Sequence, residues 1–188
     1  MLARGVSFIC IAALALLGGL AVGCGAAGPA PAPTAAPGEG KPVAFDSLDR
    51  GDSTIAGLDA ATLRSTASAV FVAGSPAEAA QFAAWLTASG AARLEAVDWN
   101  AAWVVALFRG RVGSSGYGIT VRSVGQVPGE LRLTAQLSDP APDQNVLTVE
   151  SYPYDVILVP RQGLEVTSAT TWSAYDAEGK LIAQSRVP

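Results

Sequence analysis

The chain has 188 residues, with 12 Lys and Arg, 16 Asp and Glu, no histidine and a formal net charge of −4 at neutral pH. Its length favours one domain, and a mildly acidic chain without a basic cluster argues against nucleic acid as a partner. With no histidine, and no cysteine after Cys24, Ser-His-Asp and Cys-His nucleophilic sites are excluded, as are zinc sites built on thiolate or imidazole.

Arg4 is the only charge ahead of an almost continuous apolar run, Val6 to Val22, which ends in Gly23-Cys24. A run of this kind, ending in small residues, is a secretory signal rather than part of a fold. Leu20-Ala21-Val22-Gly23-Cys24 looks like a bacterial lipobox, with Ala21 where Leu is commoner. It predicts a signal peptide over 1–23 and lipidation of Cys24, hence an extracytoplasmic lipoprotein anchored to the bacterial membrane. The alternative is an incidental cysteine behind an ordinary signal or a short span. Cys10 lies inside the apolar run, so the folded part is expected to hold no disulfide. Loss of 1–23 removes Arg4 and moves the net charge from −4 to about −5. Residues 24–42, rich in Ala, Pro and Gly, read as an extended tether.

A single β-rich globular domain is expected over 43–188, about 145 residues, enough to bury a core. Val43-Ala44-Phe45 suggests a short strand, and Ile55 follows a turn around Asp49-Arg50-Gly51-Asp52. Ala69–Val72 reads as a buried strand. The spacing then predicts one main helix over 75–89, with Ser75 as N-cap, Pro76 at the first position and Glu78 completing a capping box. Ala79, Phe82, Ala83, Trp85 and Leu86 form its apolar face, and Gly90 supplies the stop.

Trp103–Arg109 is a strand apolar on both faces, whereas Tyr117–Val124 and Leu131–Leu137 alternate around a Pro128-Gly129 turn. Ser138–Gln144 is a loop by its turn residues. A fourth run, Leu147–Val159, contains Tyr152-Pro153-Tyr154, which should bend or end the strand because Pro153 has no N–H to donate. Leu164–Trp172 and Leu181–Val187 form a last hairpin, turned at Asp176–Gly179. The fold class is α+β: a mostly antiparallel, sandwich-like β domain with one helix packed on it.

No cofactor site is indicated, since a glycine-rich phosphate loop with its lysine is missing and Lys41 and Lys180 are the only lysines. Asp139 and Asp143 share a loop, which leaves calcium binding or a carboxylate-dependent hydrolase as readings beside a plain solvated turn. The loop Arg111–Tyr117 differs in kind. Gly113 and Gly116 around Ser114 and Ser115 allow its backbone to approach a partner, with Tyr117 as an anchor. Candidate partner-binding residues are therefore Arg111, Ser114, Ser115, Gly116, Tyr117, Tyr152 and Tyr154. The plain structural reading is a hairpin turn and a kinked strand.

The order of Phe45-x-x-Leu48-x-x-Gly51-x-Ser53-x-Ile55, the capped helix and Trp103–Phe108 resembles the protease-complex-subunit (PrcB-type) family. So does the order that follows: Gly116-Tyr117-Gly118-Ile119, Asp139-Pro140 and Tyr152-Pro153-Tyr154. The resemblance spans about Val43 to Val159, with a family-like core over about 103–160, and Gly-Tyr and Tyr-Pro-Tyr are its most specific marks. It departs from the family at Ser114-Ser115, where Gly or Thr-Gly is common, and over the Arg161–Pro188 extension. The resemblance implies a secreted lipoprotein without catalytic residues, acting as a protein-binding accessory subunit beside a surface protease or other envelope protein. Ser114-Ser115-Gly116-Tyr117 is also similar to the inhibitory loop of chagasin-like protease inhibitors, which implies a second reading as an inhibitor.

Overall fold

A computed structural model describes residues 40–53 and 66–186. Cys24, the signal and most of the tether, and Ile55 lie outside the described residues. The chain divides into two units, Met1–Thr34 and Ala35–Pro188, and everything below concerns the second.

Among the described residues, nine strands and two helices follow in chain order: β1 (Lys41–Val43), β2 (Asp46–Ser53), β3 (Ala69–Ala73), α1 (Pro76–Ala83), α2 (Ala88–Glu95), β4 (Ala102–Phe108), β5 (Gly118–Val127), β6 (Glu130–Ser138), β7 (Tyr152–Pro160), β8 (Thr171–Tyr175) and β9 (Leu181–Arg186). They make a five-stranded sheet in the order β1-β5-β6-β8-β9 and a four-stranded sheet in the order β2-β7-β4-β3. The two sheets face each other, and both helices cover the other side of the four-stranded sheet.

The central strands β4 and β7 are buried on both faces, so β4 is apolar throughout and β7 nearly so, Asp155 being its one charged residue. Val105, Leu107, Ile157 and Val159 meet Ile119, Leu131, Leu133 and Trp172 between the sheets. Val104, Ala106, Phe108, Tyr154 and Val156 meet Phe82, Trp85 and Leu94 beneath the helices. Phe71, Trp85 and Phe108 pack edge to face there, with ring centroids 5.4 to 5.8 Å apart.

The α+β sandwich is as expected, while several local features differ. Lys41 and Pro42, expected as tether, already belong to β1 and pair with Gln126 and Gly125. Asp49–Asp52, expected as a turn, lies inside β2, whose bulge at Ser47/Asp49 accommodates an extra residue. The single helix over 75–89 is two helices. Ser75 caps α1 as expected, accepting the Glu78 N–H at 3.3 Å, but the Glu78 carboxylate accepts from Gly74 rather than from the cap itself. The chain leaves α1 at Ala84 and restarts with Thr87 as a second N-cap, its hydroxyl accepting the Gly90 N–H at 3.0 Å. Gly90 is thus an early residue of α2 rather than a stop, held close to the Asp49 carboxylate.

The strand expected from Leu147 begins only at Tyr152, and the one expected from Leu164 only at Thr171. Pro153 therefore neither bends nor ends a strand but sits second in β7. Its carbonyl accepts the Arg109 N–H at 2.8 Å. The Arg109 carbonyl, which faces a proline with no N–H to give, accepts instead from Ser68 Oγ at 3.0 Å. Finally, β8 and β9 form the expected last hairpin, turned at Asp176–Gly179, but β8 joins the sheet in parallel beside β6, which needs a crossover.

Candidate protein-contact site

Both sheets share two ends. At one, Gly40 presses against Gln126, and Ala102 pairs with Pro160. At the other, β4 ends, β5 begins, β6 ends and β7 begins, which brings together the loops 109–117 and 139–151. Six of the seven candidate contact residues lie in or beside these loops, and Tyr154 lies one turn of the pleat further into β7.

Arg109 organises this end. Its guanidinium lies 4.7 Å from the centre of the Tyr117 ring and donates to Gly118 O at 3.2 Å and Ser138 O at 2.5 Å. It also pairs with the exposed Asp139 carboxylate. One largely buried cation thus fixes the start of β5, the end of β6 and the aromatic ring of the Gly-Tyr mark. Tyr117 is half-buried under that cation rather than free.

Gly116 follows the fold for a local reason. Its φ of +94° is a conformation that side chains rarely adopt, and an added Cβ would approach Pro140 and Val146 to 3.1 Å. This turn lays Ser115 against the second loop, where its N–H donates to Leu147 O at 2.9 Å and its hydroxyl accepts the Leu147 N–H at 3.0 Å. The Ser114 carbonyl accepts from Ser151 Oγ at 3.4 Å, and Val112 and Ser151 exchange both backbone bonds, at 2.9 and 3.0 Å. Arg111 reaches Glu150 at 3.5 Å, both about half exposed, a pair that contributes little to stability.

Tyr152 and Tyr154 are corrected as surface residues. Two positions apart on one strand, they share a face, and that face is turned under the helices. Tyr152 is 7% exposed and gives its hydroxyl to Glu150 at 2.7 Å. Tyr154 is 1% exposed; its hydroxyl donates to Asp49 Oδ2 at 2.7 Å and accepts the Thr87 N–H at 2.8 Å. Burial and the neighbouring Asp49 carboxylate push the Tyr154 phenol up to about 12, so it stays protonated and works as a link between β7, β2 and the start of α2.

Asp139 and Asp143, weighed for metal or acid-base chemistry, sit on the exposed loop, with Asp139 engaged by Arg109. Among the described residues, nowhere do three or more acidic, histidine or cysteine side chains come together as a metal site would require.

Residues 103–160 match the family model of the PrcB C-terminal domain. That segment runs from β4 to the end of β7 and contains Arg109, the Gly-Tyr mark, both loops and the Tyr-Pro-Tyr run. The stretch from Val43 to Ala102, over which the sequence order also resembles the family, lies outside the match, as does the part after Pro160. No curated protein and no solved structure matches the chain.

Sequence reasoning missed Arg109 and Leu147. Arg109 was detectable as a cation closing the apolar run Trp103–Phe108. Leu147 was not, because an apolar residue in an extended run reads as core until its neighbours are known.

Proposed function

We propose that this chain is a non-enzymatic accessory subunit of an extracytoplasmic protease complex, held at the membrane by a lipidated Cys24. The match of residues 103–160 to the PrcB C-terminal domain carries the reading. The residue inventory supports it, since histidine is missing throughout and Cys24 is the last cysteine. The Gly-Ala-Pro-rich stretch after Cys24 supports it too, as a spacer between anchor and domain.

The test is isolation of the full chain from its own cell envelope. Metabolic labelling with a fatty acid should mark the wild-type protein, and Cys24→Ser should abolish the label and shift the protein from membrane to soluble fractions. A secreted protease should co-purify with the wild-type chain and lose abundance or assembly when the chain is deleted. An unlabelled protein, or a pure chain that hydrolyses peptide bonds by itself with no protease attached, would overturn the reading.

A further inference from the structure

Resting on the accessory-subunit reading, we propose that Leu147 is a preset hydrophobic anchor that docks into an apolar pocket of an extracytoplasmic protein partner. Leu147 is 73% exposed, against 47% for Leu181, the other large apolar side chain left in solvent among the described residues. Leu147 differs from an ordinary surface leucine in how its backbone is held. Its N–H and C=O are both engaged by Ser115, at 3.0 and 2.9 Å. Ser115 is positioned in turn by the Gly116 turn packed on Pro140 and Val146, and the loop as a whole by Arg109. The side chain is thus presented from a fixed frame, so binding it costs little further ordering, which is the property of an interface anchor.

Two further observations select the occupant. The arginines around the anchor are already matched within the chain, Arg109 with Asp139 and Arg111 with Glu150, and the exposed Asp143 adds one negative charge to the loop. The rim therefore carries little unmatched charge to recognise a polyanion or an anionic lipid surface, and the complementary surface is apolar. The N-terminal residues join the domain at Gly40, beside Gln126, whereas the anchor lies beyond Gly118 at the other end of β5. The eight-residue separation along that strand is about 27 Å. A chain anchored through the residues before Gly40 carries Leu147 at the end farthest from its attachment, where a protein in the envelope space can reach it.

Site-specific photo-crosslinking in the full, membrane-bound chain tests this. A photoreactive side chain placed at 147 should give one discrete heavier product with a protein other than this chain, and the same probe at 181 should not. With the probe moved to the exposed Asn145, Leu147→Asp should lower that product at least about tenfold, while Leu181→Asp leaves it unchanged. Circular dichroism checks that both variants fold, which their solvent exposure favours. Equal products from 147 and 181, a product with the mass of two copies of this chain, a lipid adduct, or no product would each overturn the proposal. If a protease still co-purifies with the Leu147→Asp chain at wild-type level, the anchor fails while the accessory role stands. If no envelope protein co-purifies even with the wild-type chain, the accessory role fails as well.

Discussion

Asp155 lies fully buried on the face of β7 that looks between the two sheets. Its Oδ2 accepts from the half-exposed Arg50 at 3.0 Å and from the Val121 N–H at 2.8 Å, while Oδ1 has no partner among the described residues. The Val121 bond joins the four-stranded sheet to β5, at the bulge between Val121 and Ser123. Burial raises the Asp155 carboxyl above its ordinary value, and the bonds from Arg50 and Val121 only partly offset it. A raised acid favours the protonated fold. Its stabilising contribution is full below the unfolded pKa near 3.8 and is lost as the pH rises through the folded value. Glu130 runs the other way: burial would raise it, but bonds from Ser173, Arg132 and Tyr175 hold it low, so its contribution is lost on acidification. Asp155→Asn keeps an acceptor for Val121 but removes the Asp155 titration together with its ion pair to Arg50. Urea midpoints for wild type and Asp155→Asn should therefore diverge between acid and neutral pH, the wild type losing relative ground as pH rises. Parallel midpoint curves would show that Asp155 does not titrate differently in the fold.

The break between α1 and α2 shows how one buried contact overrides a helical pattern. Apolar spacing over Ala79–Leu86 continues the first helix well enough, but Thr87 is captured from outside. Its N–H meets Tyr154 Oη, and its hydroxyl lies 3.0 to 3.2 Å from the Asp49 carboxylate, so it sits extended as an N-cap. Gly90 permits this because an added Cβ would overlap the Asp49 carboxylate. Its φ is not in the left-handed range, so the need for glycine is one of space rather than backbone freedom. Gly90→Ala would gain helix propensity in an open helix, yet here it should cost about 1–3 kcal/mol, as overpacking does. Chemical denaturation checks the sign, and a stabilised Gly90→Ala protein would mean that Asp49 can move aside freely.

At the scale of the molecule, the PrcB-like segment is the centre of the fold without being a closed unit. Its strands β4 and β7 form the middle of the four-stranded sheet, whose flanks β3 and β2 come from residues before 103. Its β6 needs β8, and the helices that cover Phe108, Tyr154 and Val156 also lie outside it. Isolated residues 103–160 should therefore be unfolded, with no cooperative thermal transition and collapsed amide dispersion in NMR spectra, whereas the longer chain folds cooperatively. Along the sides of the sandwich, β3 lies alongside β9, and β1 passes into β2 through Ala44-Phe45.

Residue types and local periodicity were enough to locate β4, β5 and β6, to cap the first helix at Ser75 and to remove histidine- and thiol-based chemistry from consideration. The Gly-Tyr and Tyr-Pro-Tyr marks were legible for the same reason, being fixed in order along the chain. Which way those tyrosines face was not. A strand buried on both sides has no polar alternation to mark its faces, and only the packing of α1 and α2 on one of them turns Tyr152 and Tyr154 inward. The restart at Thr87, the parallel joining of β6 to β8, the carboxylate staple at Asp155 and the exposure of Leu147 share that origin. Each depends on partners tens of residues away, brought together only when the two sheets close, and tertiary contact alone decided them.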